Sequence, residues 1–132
     1  MDVRRLGFLG TRTDNFSETT RFFRDVLGLA TYYEEPDFAM LSLPGAEHDF
    51  VEIIGPDAEG SEFQAAKYTT GPVASFVVGD VVAARTELEA AGVELLDDIT
   101  WSRSIEGFGW FHFRGPDGYT YGMMQGSRVI GD

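Results

Sequence analysis

The strongest constraint on the fold of this 132-residue chain is an internal repeat. Asn15 to Gly28 and Asp80 to Gly92 are each a helix-length stretch that opens on a good N-cap and closes on a glycine. Between the caps, Phe22, Phe23, Val26 and Leu27 in the first stretch and Val81, Ala84, Leu88 and Ala91 in the second follow helical spacing. One strand-like run precedes each helix and several follow it. In the first half these runs are residues 6–11, then 31–34, 38–43 and 49–54, with a turn at Pro44-Gly45 and a stop at Gly55-Pro56. In the second half they are 73–78, then segments near 93–96, 99–102, 109–114 and 119–125, with a Gly115-Pro116-Asp117-Gly118 turn before the last. The order β-α-β-β-β therefore occurs twice, in a first module at about residues 4–55 and a second at 73–126. The connector, 56–72, is rich in glycine, proline and charge and carries a predicted short helix at 61–67.

Composition narrows the function class. A single domain of this length buries roughly two-thirds of its unfolded surface and needs no staple. With no cysteine there is no disulfide framework, no thiolate nucleophile and no Cys-ligated zinc or iron–sulfur cluster. Lys+Arg 10 against Asp+Glu 22 gives a net charge of −12, which repels nucleic acid and anionic membranes but not a neutral or cationic small molecule. No apolar run reaches the length of a signal peptide or membrane span, so a cytoplasmic location is expected. The GxSxG, Walker and HExxH motifs are absent, and Gly107-Phe108-Gly109 lacks the third glycine of a dinucleotide site.

Three motifs carry a family resemblance. The run from Phe16-Ser17 through Phe22-Phe23 to Leu27-Gly28-Leu29, the helix end Ala90-Ala91-Gly92-Val93-Glu94, and Phe113-Arg114-Gly115-Pro116-Asp117-Gly118-Tyr119 resemble the vicinal oxygen chelate superfamily. That superfamily includes glyoxalase I, bleomycin-resistance proteins and extradiol dioxygenases. The resemblance implies an α+β fold in which two βαβββ modules form a curled mixed sheet with a cleft and helices on the outer face, commonly as a homodimer. Its metalloenzymes hold a divalent ion through one residue on the first and one on the last strand of each module. Those positions fall at Phe8, Glu52, Val73 and Gly122. Only Glu52 has a ligating side chain, and one carboxylate does not hold a catalytic divalent ion. His48 lies four extended residues from Glu52, about 13 Å away, too far to share an ion with it. The expectation is therefore no metal and no cofactor, as in the bleomycin-resistance branch.

Strand parity then assigns the cleft. Phe8, Phe50, Glu52, Ile54, Val73, Ser75, Val77, Thr120, Gly122 and Met124 share the side of the metal positions, whereas Leu9, Val51, Ile53, Phe76, Tyr121 and Met123 are expected under the helices. Trp110 and His112 join the first set because Phe111 and Phe113 claim the buried side of their strand, and Phe38, Trp101 and Phe108 are placed at the rim. Such a surface suits an aromatic or cationic small molecule, with Glu52 as anchor unless it pairs with Arg12 or Arg114. Sequestration of a drug or natural product by a bacterial protein is the first reading; arginine outnumbers lysine nine to one, as in GC-rich genomes. The alternatives are a cofactor-free isomerase, lyase or cyclase using Glu52 and His112, a glyoxalase- or dioxygenase-like metalloenzyme, or a scaffold with no ligand.

Overall fold

The structure, a computed structural model, describes residues 1–58 and 71–126, with the side chains of Glu47 and His48 left aside. The helix expected at 61–67 and the side-chain environment of His48 lie outside the described residues. The chain divides into two compact units, residues 8–73 and residues 1–7 with 74–132. Strand β1 (Val3–Arg12) contributes to both. A strand, a helix and then several strands occur twice, three strands following the first helix and four, two of them only two residues long, following the second, so the α+β expectation holds.

In the first unit α1 (Phe16–Arg21) leads into a π-helical turn (Phe22–Val26), followed by β2 (Ala30–Glu35), β3 (Phe38–Leu43) and β4 (Ala46–Ile54). The strands lie in the order β2-β3-β4-β1, antiparallel except for the parallel β4–β1 pair. One sheet face packs Ala39, Leu41, Ile53 and Val51 against Phe16, Phe23 and Leu29. The helix departs from the single amphipathic segment that the spacing predicts. The Leu27 amide bonds back five residues to the Phe22 carbonyl at 3.1 Å, and this wider turn rotates the apolar stripe. Phe23 still reaches the core, but Phe22, Val26 and Leu27 are exposed. Asn15 makes no side-chain cap; its own N–H donates to Thr13 Oγ1 at 3.0 Å. Gly28 closes the segment as expected, at φ 79°.

In the second unit β5 (Gly71–Val78), from Ala74 onward, is followed by α2 (Val81–Ala90), β6 (Glu94–Leu95), β7 (Thr100–Trp101), β8 (Gly109–Arg114) and β9 (Thr120–Gln125). The order is β5-β9-β8-β6, with β7 also paired to β8. Asp80 caps α2 by accepting the Ala83 N–H at 3.0 Å, and Gln125 Oε1 takes the Val81 N–H at 2.8 Å. Val78, Val81, Ala84, Phe111 and Met123 form the core, flanked by Phe76, Leu88, Leu95, Ile99 and Phe113.

The turn before β9 is closed by titratable groups. Tyr121 Oη donates to Asp117 Oδ2 at 2.6 Å, and Asp117 Oδ1 accepts the Tyr119 N–H at 3.0 Å. The Tyr121 hydrogen bond, then that from Tyr119, hold the Asp117 carboxyl below 3.8, and the same phenol–carboxylate bond raises Tyr121 above 10.0. A lowered carboxylate adds stability above its unfolded value that is lost as pH falls through the folded one; a raised phenol adds stability that is lost as pH rises through its folded value. The contribution of this turn should therefore be complete between 3.8 and 10.0 and fade on both sides. NMR titration should find the Tyr121 phenol above 10.0, and Asp117→Asn should return it toward that value.

Candidate functional site

Cross-strand register places the candidate residues in rows. In the first unit, on the face opposite the helix, Ser42, Phe50 and Phe8 form one row, Met40, Glu52 and Gly10 the next, and Phe38, Ile54 and Arg12 a third. Phe8 folds its ring over Gly10, 3.1 Å from where a Cβ would stand. Ile54, Ala58, Val73, Phe8 and Phe38 make one apolar cluster, and the Phe50 ring packs against Tyr32 with centroids 4.9 Å apart and planes tilted by 45°. Glu52 is 4% exposed within this surface. Phe8, Phe50, Glu52 and Val73 thus share one side with Ile54, as parity predicts, and Phe38, expected at the rim, packs in the same cluster. Of the two arginines considered as partners, Arg12 bonds Asp14 at 3.0 Å, and Arg114 bonds Glu94 at 3.0 Å. Leu9, expected beneath the helix, is 51% exposed, because the cluster there stops at Val51 on the neighbouring strand.

In the second unit, on the face opposite α2, Ser75, Gly122 and His112 form a row, and Val77, Met124 and Trp110 the next. Ser75, His112 and Met124 are buried. Phe108 and Trp110 pack with ring centroids 5.1 Å apart, while the Trp101 ring covers Gly109 and is half exposed. A Cβ on Gly122 would lie 2.8 Å from Ser75 Oγ and 3.1 Å from its Cβ. Gly122→Glu should therefore destabilise the protein by about 1–3 kcal/mol through overpacking, read by chemical denaturation.

One residue that contacts a candidate side chain escapes the sequence reading. The Asp97 carboxylate, in the connection between β6 and β7, accepts the His112 backbone N–H through Oδ1 at 2.6 Å and meets His112 Nδ1 through Oδ2 at 2.7 Å. Its side chain is 1% exposed and that of His112 8%. The acidic pair Asp97-Asp98 is the only trace of it in the sequence, and nothing there separates the buried member from its fully exposed neighbour.

The donor set does not fit a divalent metal. Phe8 and Val73 pack in the same apolar cluster, Gly122 has no side chain, and among the described residues no three His, Asp or Glu side chains converge. A shift of one residue along β1 does not help, since Gly7 lies against the Met124 thioether. Among the described residues no helix is long and apolar enough to cross a membrane.

Comparison with known proteins bears on family and fold. The model of the Glyoxalase/Bleomycin resistance protein/Dioxygenase superfamily matches residues 5–122. Among solved structures, the chain is similar to the Mn(II)-bound glyoxalase from Novosphingobium aromaticivorans, with a TM-score of 0.71 and 23% identity over 94% of this chain, spanning 39% of that protein. It is also similar to a superfamily member from Vibrio splendidus 12B01, with a TM-score of 0.63 and 24% identity over 94% of this chain and 99% of that one. Methylmalonyl-CoA epimerase from Mycobacterium tuberculosis aligns with a TM-score of 0.68 and 18% identity over 95% of this chain and 89% of that one. At these identities the likeness establishes the fold alone. The comparison with curated proteins gives no match.

Proposed function

Because the chain belongs to the Glyoxalase/Bleomycin resistance protein/Dioxygenase superfamily, we propose that it is a metal-independent member that binds an aromatic small molecule and sequesters it, in the manner of a resistance protein. The observation that supports this reading is the exchange of metal donors for packing side chains. Phe8, Val73 and Gly122 stand where metalloenzymes of the fold carry ligands, Phe8 and Val73 lie with Phe38 in one apolar cluster, and Glu52 remains as a buried carboxylate beside them. Such a surface gains affinity by burying and stacking a flat ring, and its few polar groups select orientation.

The test is fluorescence. In a Trp101→Phe variant Trp110 is the one remaining tryptophan, and an aromatic ligand drawn from a panel of planar natural products should quench it saturably and be recovered chemically unchanged. A second reading, an acid–base enzyme of the superfamily, is favoured by the His112–Asp97 pair. It wins if the ligand is transformed and if Glu52→Gln or His112→Ala abolishes turnover while binding persists.

A further inference from the structure

The outer strand of the first unit breaks the alternation that strand parity assumes. Thr31 pairs with Leu41 but Tyr33 pairs with Met40, so Tyr32 is the extra residue of a β-bulge, and both tyrosines stand opposite Met40. In a regular strand two consecutive side chains point to opposite sides of the sheet. Here they share one. The Tyr32 ring lies 4.9 Å from that of Phe50, and the Tyr33 ring meets Phe38 edge-on at 6.3 Å, and both phenylalanines belong to the candidate face opposite the helix. Flanking the bulge, Thr31 and Glu34 pair with Leu41 and Ala39 of the helix-covered face, where Glu34 reaches Arg24 at 3.7 Å. Each tyrosine is 45% exposed, so beyond the contacts they make both rings keep surface toward solvent. Glu35, two residues beyond Tyr33 and paired with Phe38, lies on the same side, and its carboxylate accepts the Tyr33 phenol O–H. The bulge thus sets two adjacent rings and a carboxylate on one edge of the candidate face.

We propose that this bulge is the specificity-determining element of the face: Tyr32 and Tyr33 supply the ring surfaces, and Glu35 the negative charge, that select an aromatic ligand bearing a compact substituted ammonium. A cation is drawn to the face of an aromatic ring within about 6 Å of its centre, and consecutive Cα atoms lie only about 3.8 Å apart, so one ammonium is within reach of both rings. A neutral group of the same shape gains the burial without that attraction. The inference rests on the aromatic-ligand reading above and adds the substituent that the site selects.

Two probes of one shape isolate the charge: 3-hydroxyphenyltrimethylammonium and its carbon isostere 3-tert-butylphenol, each bound to the full chain and measured by equilibrium dialysis. The wild type should prefer the cation by about tenfold. Tyr32→Leu and Tyr33→Leu keep an apolar side chain and remove one ring each, and each should cut the preference to about threefold or less while the neutral probe still binds. Glu35→Gln should cut it as well. Glu34→Gln makes the same change of charge on the helix-covered face and should leave the preference intact, which a mere attraction of cations to a chain of net charge −12 would not do. Equal affinity of the wild type for the two probes, or a preference that survives both tyrosine substitutions, overturns the proposal and leaves aromatic binding standing. Failure of both probes to bind removes the aromatic reading and this inference with it.

Discussion

Replacing Phe111 by alanine should lower the stability of the chain by roughly 3–5 kcal/mol, the largest loss expected of any single truncation discussed. Phe111 is fully buried at the centre of β8, between Val78, Val81, Ala84 and Met123. Its partners come from a sheet and from a helix locked at its start by Asp80 and Gln125. They are poorly placed to collapse into the void, so the cavity term adds to the lost transfer energy. Chemical denaturation followed by circular dichroism should show a lower midpoint with an unchanged slope, which marks lost stability rather than an altered denatured state. A loss below about 1 kcal/mol would mean that β8 is not packed under α2 as described.

Asp97→Ala should cost roughly 2–4 kcal/mol, because it removes both carboxylate oxygens from a buried site and takes away the acceptor of the His112 backbone N–H where water hardly reaches. Asp97→Asn, which keeps the backbone bond, should cost less than half as much. The contrast isolates the carboxylate's structural part from its effect on the ring. Arg114→Ala, which breaks the exposed pair with Glu94, should by comparison stay within about 1 kcal/mol. Denaturation of the three variants side by side checks the ranking, and an Asp97→Ala variant as stable as wild type would contradict the hydrogen bonds assigned to it.

The repeat was legible because it rests on local physics. Gly28 and Gly92 end their helices at positive φ, Asp80 caps the second, and the alternation along β4 and β8 puts Ile53 and Phe111 under the helices and Glu52 and His112 on the other side. What stayed hidden depends on geometry that spacing does not encode. The π turn at Phe22–Val26 changes the helical period by one residue, so three side chains of the apolar stripe, Phe22, Val26 and Leu27, end up outside. Asp97 meets His112 only because β6 pairs Leu95 with Phe113, which brings the next bend of the chain alongside the ring. Alone, the run Leu95-Leu96-Asp97-Asp98 reads as a strand end followed by solvated charge, and for Asp98 that is correct. Parity marks the candidate face in the sequence, whereas the Asp97–His112 contact depends on the tertiary register.

The central proposal is that this superfamily member binds an organic ligand without a divalent ion. Its most direct test is elemental analysis of the purified protein before and after incubation with Zn²⁺, Mn²⁺, Ni²⁺ and Fe²⁺ followed by desalting. The account predicts no retained metal above trace, in the wild type and in Glu52→Gln alike. Near-stoichiometric retention in the wild type, lost in Glu52→Gln, would contradict it and return the chain to the metalloenzymes of its superfamily.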